Sequence, residues 1–167
     1  MMTAQIHQRP AGSGAPWASR YSGIPFANVG FTPAGVHCWG LIWLVFQREC
    51  GIALNGYGAI SARTIANAAA TIAAHKALPP WRHVATPAHA ETSEQLIGRV
   101  TAARALKAFD VVTMLNGDAS SESHVGIMID ARRMLHTEAD CGTVIVDLGH
   151  VTVRWRVTGF YRHEALA

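Results

Sequence analysis

Asp110 divides the chain into two textures: before it apolar residues recur at helical spacing, and after it they fall in short runs of branched residues separated by turn signals. Helices first and strands afterwards pack most simply as a sheet with helices against one face, so the order alone predicts an α+β domain. At 167 residues the chain is long enough to bury such a core as one unit without disulfides or metals.

In the helical half, the run Cys38-Trp39-Gly40-Leu41-Ile42-Trp43-Leu44-Val45-Phe46 is apolar on every face, which predicts a buried helix over about 38–49. Gly23, Pro25, Gly30, Pro33 and Gly35 mark the segment before it as a loop. A second helix is expected over Ser61–Leu78, Ala-rich with Ile65 and Ile72 seven apart and stopped by Pro79-Pro80. A third is expected over about Thr92–Lys107, where Leu96, Ile97, Val100, Ala103 and Leu106 are spaced by three and four. Strands are expected at 111–115, 124–129, 133–136, 143–148 and 151–157, joined as an antiparallel meander. Residues 1–16, rich in Gly, Ala, Ser and Pro, read as a flexible or partner-ordered lead segment, with the domain over 17–167.

Composition narrows the function. Half the residues are apolar and 15% are charged, a globule's balance, and the net charge of +3 favours an anionic polymer, a wall polymer or teichoic acid as well as DNA, but falls short of a nucleic-acid footprint. No apolar run reaches the ~20 residues that span a bilayer, so no membrane insertion is expected. The first residues carry no secretory signal pattern, so export is expected to need another vehicle. Cys38, Cys50 and Cys141 are odd in number and lack metal-type pairing, leaving at least one thiol free, and His75, His83, His89 and His150 form no recognised ligand spacing. Neither metal nor cofactor is expected.

Chemistry concentrates at two places. Cys38 opens the buried helix, where unpaired N–H groups and the helix dipole favour a thiolate and could hold an oxyanion; the alternative is a small buried hydrophobe. In Ser123-His124-Val125-Gly126-Ile127-Met128-Ile129, alternation puts His124, Gly126 and Met128 on one face and Val125, Ile127 and Ile129 on the other. A hairpin with an odd loop centred on Asp130 would make His124 and His136 directly opposed, with Val125 opposite Leu135. An imidazole beside a thiol acts as base, and a second polar group on its far nitrogen orients it. Glu138 or Asp140 takes the orienting role if the register differs. Trp39, Trp43, Trp81 and Trp155 are candidate groove residues, Trp43 reading as core and Trp39, beside the thiol, as groove. Cys50 and Cys141 read as packing and an incidental surface thiol.

Taken in order, Tyr21-Ser22-Gly23-Ile24-Pro25-Phe26, Gly35-Val36-His37-Cys38-Trp39-Gly40-Leu41, Asp110-Val111-Val112, Ser123-His124-Val125-Gly126-Ile127, Met134-Leu135-His136 and Gly159-Phe160-Tyr161-Arg162 resemble the NlpC-type cell-wall cysteine peptidases. Trp39 after the cysteine and the closing Gly-Phe-Tyr-Arg resemble the branch encoded with phage and prophage tails. The resemblance implies a papain-like fold and a metal-free triad of Cys38, His124 and His136. It implies hydrolysis of peptidoglycan stem peptides, commonly between D-glutamate and diaminopimelate, in a virion or prophage particle made in the cytoplasm and acting at the host envelope beside other tail proteins.

Three positions depart from the pattern. His37 stands where the family usually has Asp, and in its protonated form would assist the thiolate. Phe26, 12 before the cysteine, replaces a frequent Tyr and loses its hydroxyl, and Phe109-Asp110 replaces Gly-Asp. His37, Phe26 and Trp39 are the candidate substrate-binding residues. The first two departures also admit a structural tail subunit that keeps the fold without activity, and the triad alone would equally serve amidase or acyl-transfer chemistry.

Overall fold

The computed structural model describes residues 16–57, 65–87, 106–118 and 120–167. A single helical turn (α1, Pro16–Ser19) leads into a small hairpin, β1 (Phe31–Thr32) and β2 (Gly35–Val36), and then α2 (Cys38–Val45). The apolar run is helical as expected, but its last turn, Phe46–Cys50, is a π-helix closed by Gly51 in the left-handed conformation. Helix α3 (Ile65–His75) occupies the middle of the second expected helix. Of the third, residues 92–105 lie outside the described residues, and Leu106 and Lys107 are not helical.

Six strands form one antiparallel sheet: β3 (Trp81–Ala85), β4 (Val111–Leu115), β5 (Glu122–Met128), β6 (Arg133–Glu138), β7 (Gly142–Asp147) and β8 (Val157–His163), in the order β3-β8-β4-β5-β6-β7. Strands β4 to β7 are a meander, but β8 returns to lie between β3 and β4, so the meander reading holds for only part of the sheet. Residues 151–156, read as a strand from their alternation, are turns; Val153 and Val157 instead pack with Leu148 and Phe160.

Each face of the sheet has a core. On one, Leu41, Ile42, Val45 and Phe46 of α2 pack against Val111, Val125, Ile127 and Leu135. On the other, Val112, Met114, Met128, Met134 and Phe160 close with Leu148 and Val153. The expected division of the 124–129 segment is therefore right for Val125, Ile127 and Ile129 against Met128. Few helices on a large antiparallel sheet is the α+β architecture the texture predicts.

The departure at Phe109, and the Asp110 that follows it, have structural accounts. Phe109 adopts a left-handed φ of 72°, a conformation glycine takes freely, and its ring stacks on Trp17 with centroids 4.8 Å apart. Asp110 accepts from Arg162 Nε and Nη2, both at 2.7 Å, tying the start of β4 to β8 inside the protein.

Candidate active site

Helix α2 begins on its nucleophile candidate because His37 caps it. The residue is extended, and its Nδ1 accepts from the Gly40 N–H at 3.4 Å, satisfying one of the free donors of the first turn. Burial pushes the His37 imidazole below its ordinary pKa, and Phe31 packs edge-on against the ring. A cationic His37 assisting a thiolate is thus overturned: the ring is neutral and acts as an acceptor. Gly40 is fixed by space, since a Cβ there would collide with the Gly30 carbonyl.

Cys38 is half-buried, and its thiolate is favoured by the N–H group of Val125 in β5 and by those of Trp39 and Cys38 itself at the helix start. Burial is nevertheless the largest influence and, with the charge of Glu138, pushes the thiol up. This direction is opposite to the lowered thiol pKa that a helix start alone predicts. The N–H groups are in place, but the apolar surroundings outweigh them. Cys50 and Cys141 are also free thiols, one half-buried and one exposed.

The opposite wall is the β5–β6 hairpin. Its loop is odd, Asp130 to Arg132, with Asp130 Oδ1 accepting from the N–H groups of Arg132 and Arg133. The register, however, pairs Ile127 with Leu135 and Met128 with Met134, two residues away from the expected one. Extended along the strands, it sets Gly126 rather than His124 opposite His136. A shift of two keeps the face, so the imidazoles still meet, diagonally, with His124 Nε2 3.1 Å from His136 Nδ1. Gly126 makes room, because a Cβ there would press on the Leu135 carbonyl and His136 Cβ. His124 sits next to a bulge in the β4–β5 pairing, a device that re-aims side chains, and it lines the cavity together with Cys38 and Val125.

Glu138 completes the cluster. Its Oε1 lies 3.4 Å from His136 Nδ1 and 3.7 Å from His124 Nε2, and it accepts from Arg156 Nη1 at 2.7 Å. Burial opposes the Glu138 charge, but the adjoining His136 and His124 and the Arg156 guanidinium hold its carboxyl down at about 2. Burial also dominates at His124, pushing it down to about 3 against the pull of Glu138. A neutral His124 has a lone pair available to accept a proton. Among the described residues, His124, His136 and Glu138 are the one group with metal-ligand spacing; His75, His83 and His150 join no such group, and His89 lies outside the described residues.

A cavity of about 250 Å³ connects the two walls. Phe26, His37 and Trp39 line it with Cys38, and Tyr57, Trp81 and Tyr161 add aromatic surface. Trp39 is anchored through Nε1 to the Asn55 carbonyl at 2.9 Å, whereas Trp43, read as core, packs against the helix-side core. Trp155 is exposed and is not among the lining residues. The sequence reading passed over Arg156, because it was assigned to a strand that does not form, and it rated Glu138 only as an alternative, although position i+2 from His136 already put it on the same face. No helix among the described residues is long and apolar enough to cross a membrane.

No curated protein matches the sequence. Among solved structures, the chain is similar to the NlpC/p60 domain of the peptidoglycan hydrolase SagA, with 16% identity, 87% of this chain and 91% of that one covered, and a TM-score of 0.49. It is similar to an NLP/P60 family lipoprotein-like protein of Staphylococcus aureus, with 21% identity, 88% and 39% covered, and a TM-score of 0.49. An NlpC/P60 family protein of Bacillus cereus gives 16% identity, 87% and 37% covered, and a TM-score of 0.52, a likeness of fold. The chain thus spans less than two-fifths of the last two proteins. Residues 23–160 match the NlpC/P60 family, so the chain belongs to this family of cell-wall hydrolases, whose members are generally cysteine peptidases or amidases.

Proposed function

We propose that the protein is a cysteine endopeptidase that hydrolyses amide bonds in peptidoglycan stem peptides, between D-glutamate and diaminopimelate, with Cys38 as nucleophile, His124 as base and His136 as the residue that orients the base. The observation that carries this reading is the convergence of Cys38 and His124 on one cavity while His124 Nε2 lies 3.1 Å from His136 Nδ1. With Nε2–H donated to His136, Nδ1 of His124 is left to take the thiol proton. Because the thiol is held up and the imidazole down, proton transfer accompanies attack rather than preceding it. The sulfur bonds to the carbonyl carbon, and the N–H groups around Cys38 stabilise the oxyanion. The C–N bond then breaks as His124 returns the proton to the leaving amine. Water, deprotonated by the same imidazole, releases the acyl group from sulfur and restores the thiol.

Trp39, Phe26 and His37 line the same cavity as Cys38 and are the proposed substrate contacts. The tail-like pattern of Trp39 and Gly159-Phe160-Tyr161-Arg162 supports work in a phage or prophage tail particle at the host envelope.

A second reading, a tail subunit with this fold and no turnover, is favoured by one observation, the raised Cys38 thiol. Muropeptides containing diaminopimelate, incubated with reduced protein and with Cys38→Ala, separate the two by mass spectrometry. Cleavage after D-glutamate by the wild type alone is expected; intact muropeptides in both samples would overturn the endopeptidase reading.

A further inference from the structure

The three polar groups behind the thiol do more than orient one another. His124 Nε2, His136 Nδ1 and Glu138 Oε1 are 3.1, 3.4 and 3.7 Å apart; the carboxylate oxygen is an electron-pair donor, and so is each ring nitrogen that carries no hydrogen. In the tautomer used for catalysis a single hydrogen, on His124 Nε2, lies between the two ring nitrogens. Four ligands at about 2.1 Å around a tetrahedral ion are separated by about 3.4 Å, so the three atoms already stand near the corners of one face of a zinc coordination shell. Two imidazoles and a carboxylate are a donor set suited to Zn²⁺ and its first-row neighbours. His124 and Glu138 line the cavity, which supplies an entry route and space for a water as fourth ligand.

We propose that His124, His136 and Glu138 form a binding site for one divalent transition-metal ion, and that occupancy silences the peptidase by taking its base. This effect rests on His124 being that base. Coordination through Nε2 displaces its hydrogen to Nδ1, the nitrogen that takes the thiol proton in the proposed mechanism, and a protonated Nδ1 cannot accept the Cys38 proton. No proton is lost in the exchange: one N–H moves across the ring and three coordinate bonds form. Arg156 donates to the same Glu138 oxygen and its charge opposes a cation there, so the ion is exchangeable and a chelator removes it.

The test uses the full chain with Zn²⁺ and Co²⁺. Competition against a chromophoric chelator is expected to give one Zn²⁺ per chain, with affinity about tenfold or more weaker in Glu138→Gln and in His136→Gln. Circular dichroism first establishes that both variants are folded. The Co²⁺ spectrum of the wild type is expected to show ligand-field bands without a thiolate charge-transfer band, which excludes the three cysteines as the site. Absence of binding, undiminished binding in both folded variants, or a thiolate band would overturn the site. In muropeptide cleavage, loss of turnover at the same Zn²⁺ concentration with recovery on adding EDTA supports capture of the base, and unchanged turnover by the zinc-loaded protein overturns it. A chain that binds zinc in this way yet never cleaves muropeptides upholds the metal site and removes only the peptidase reading.

Discussion

Cys38 enters the cavity from a helix held by packing: Leu41, Ile42, Val45 and Phe46 are almost wholly buried, and the side-chain bonds at its start are the long one from Gly40 N–H to His37 and that of Trp39 Nε1 to the Asn55 carbonyl. His124 enters from a hairpin end held by polar contacts, where His136, Glu138 and Arg156 are linked within 3.4 Å. Packing fixes where a helix lies and tolerates no extra volume; a polar cluster fixes ring orientation and tautomer and tolerates no lost charge. The nucleophile side should therefore fail by loss of fold, and the base side by loss of rate.

The sharpest break of this contrast lies on the base side. His136→Ala is expected to lower muropeptide turnover by about a thousandfold, and Glu138→Gln by about tenfold, each in protein that circular dichroism shows to be folded at the assay temperature. A larger loss from Glu138→Gln than from His136→Ala would make the carboxylate the orienting group.

On the nucleophile side, Gly40→Ala forces a methyl group onto the Gly30 carbonyl and is expected to cost about 3 kcal/mol or more, a Tm fall of about 10 °C by calorimetry. An unchanged Tm would mean that the helix start is as adaptable as the hairpin.

The smallest effect sharpens the contrast through pH. His124 is held below its ordinary value of 6.5, so the unfolded chain binds the proton more readily than the folded one. The stability it contributes is complete above pH 6.5 and is lost as pH falls toward 3. Glu138, held at about 2, adds a loss between pH 4.5 and 2. The Tm is expected to decline from pH 7 to 4, and less steeply in His124→Gln. His37 and His163, displaced in the same direction by burial, keep some slope in that variant. Equal slopes would remove the buried neutral base from the account.

What could be read from the residues follows from the same physics. Val111 to Leu115 was legible residue for residue, because branched side chains ended by Asn116-Gly117 leave little choice. The final strand was misplaced by six residues: Val151-Thr152-Val153-Arg154-Trp155-Arg156-Val157 alternates like a strand, yet Val153 and Val157 both serve the second core and the chain turns between them. Strand β3 was missed because two of its three side chains before Val84 are charged or titratable, and its place beside β8 is settled only by the whole sheet. At the site, sharing of a face by His124 and His136 needed only an odd loop, so it was legible. The two-residue shift depends on the Asp130 turn, which spacing does not reveal.

The return of β8 to a place between β3 and β4 has a consequence during synthesis. While the ribosome has delivered only the residues before Val157, β3 has no partner in the six-stranded sheet and β4 has one open side. Both present the unpaired N–H and C=O groups that recruit other chains. A nascent polypeptide stalled there already contains the cysteine and both histidines but has an open sheet, so translation arrest late in this chain yields a sticky product rather than a shorter enzyme.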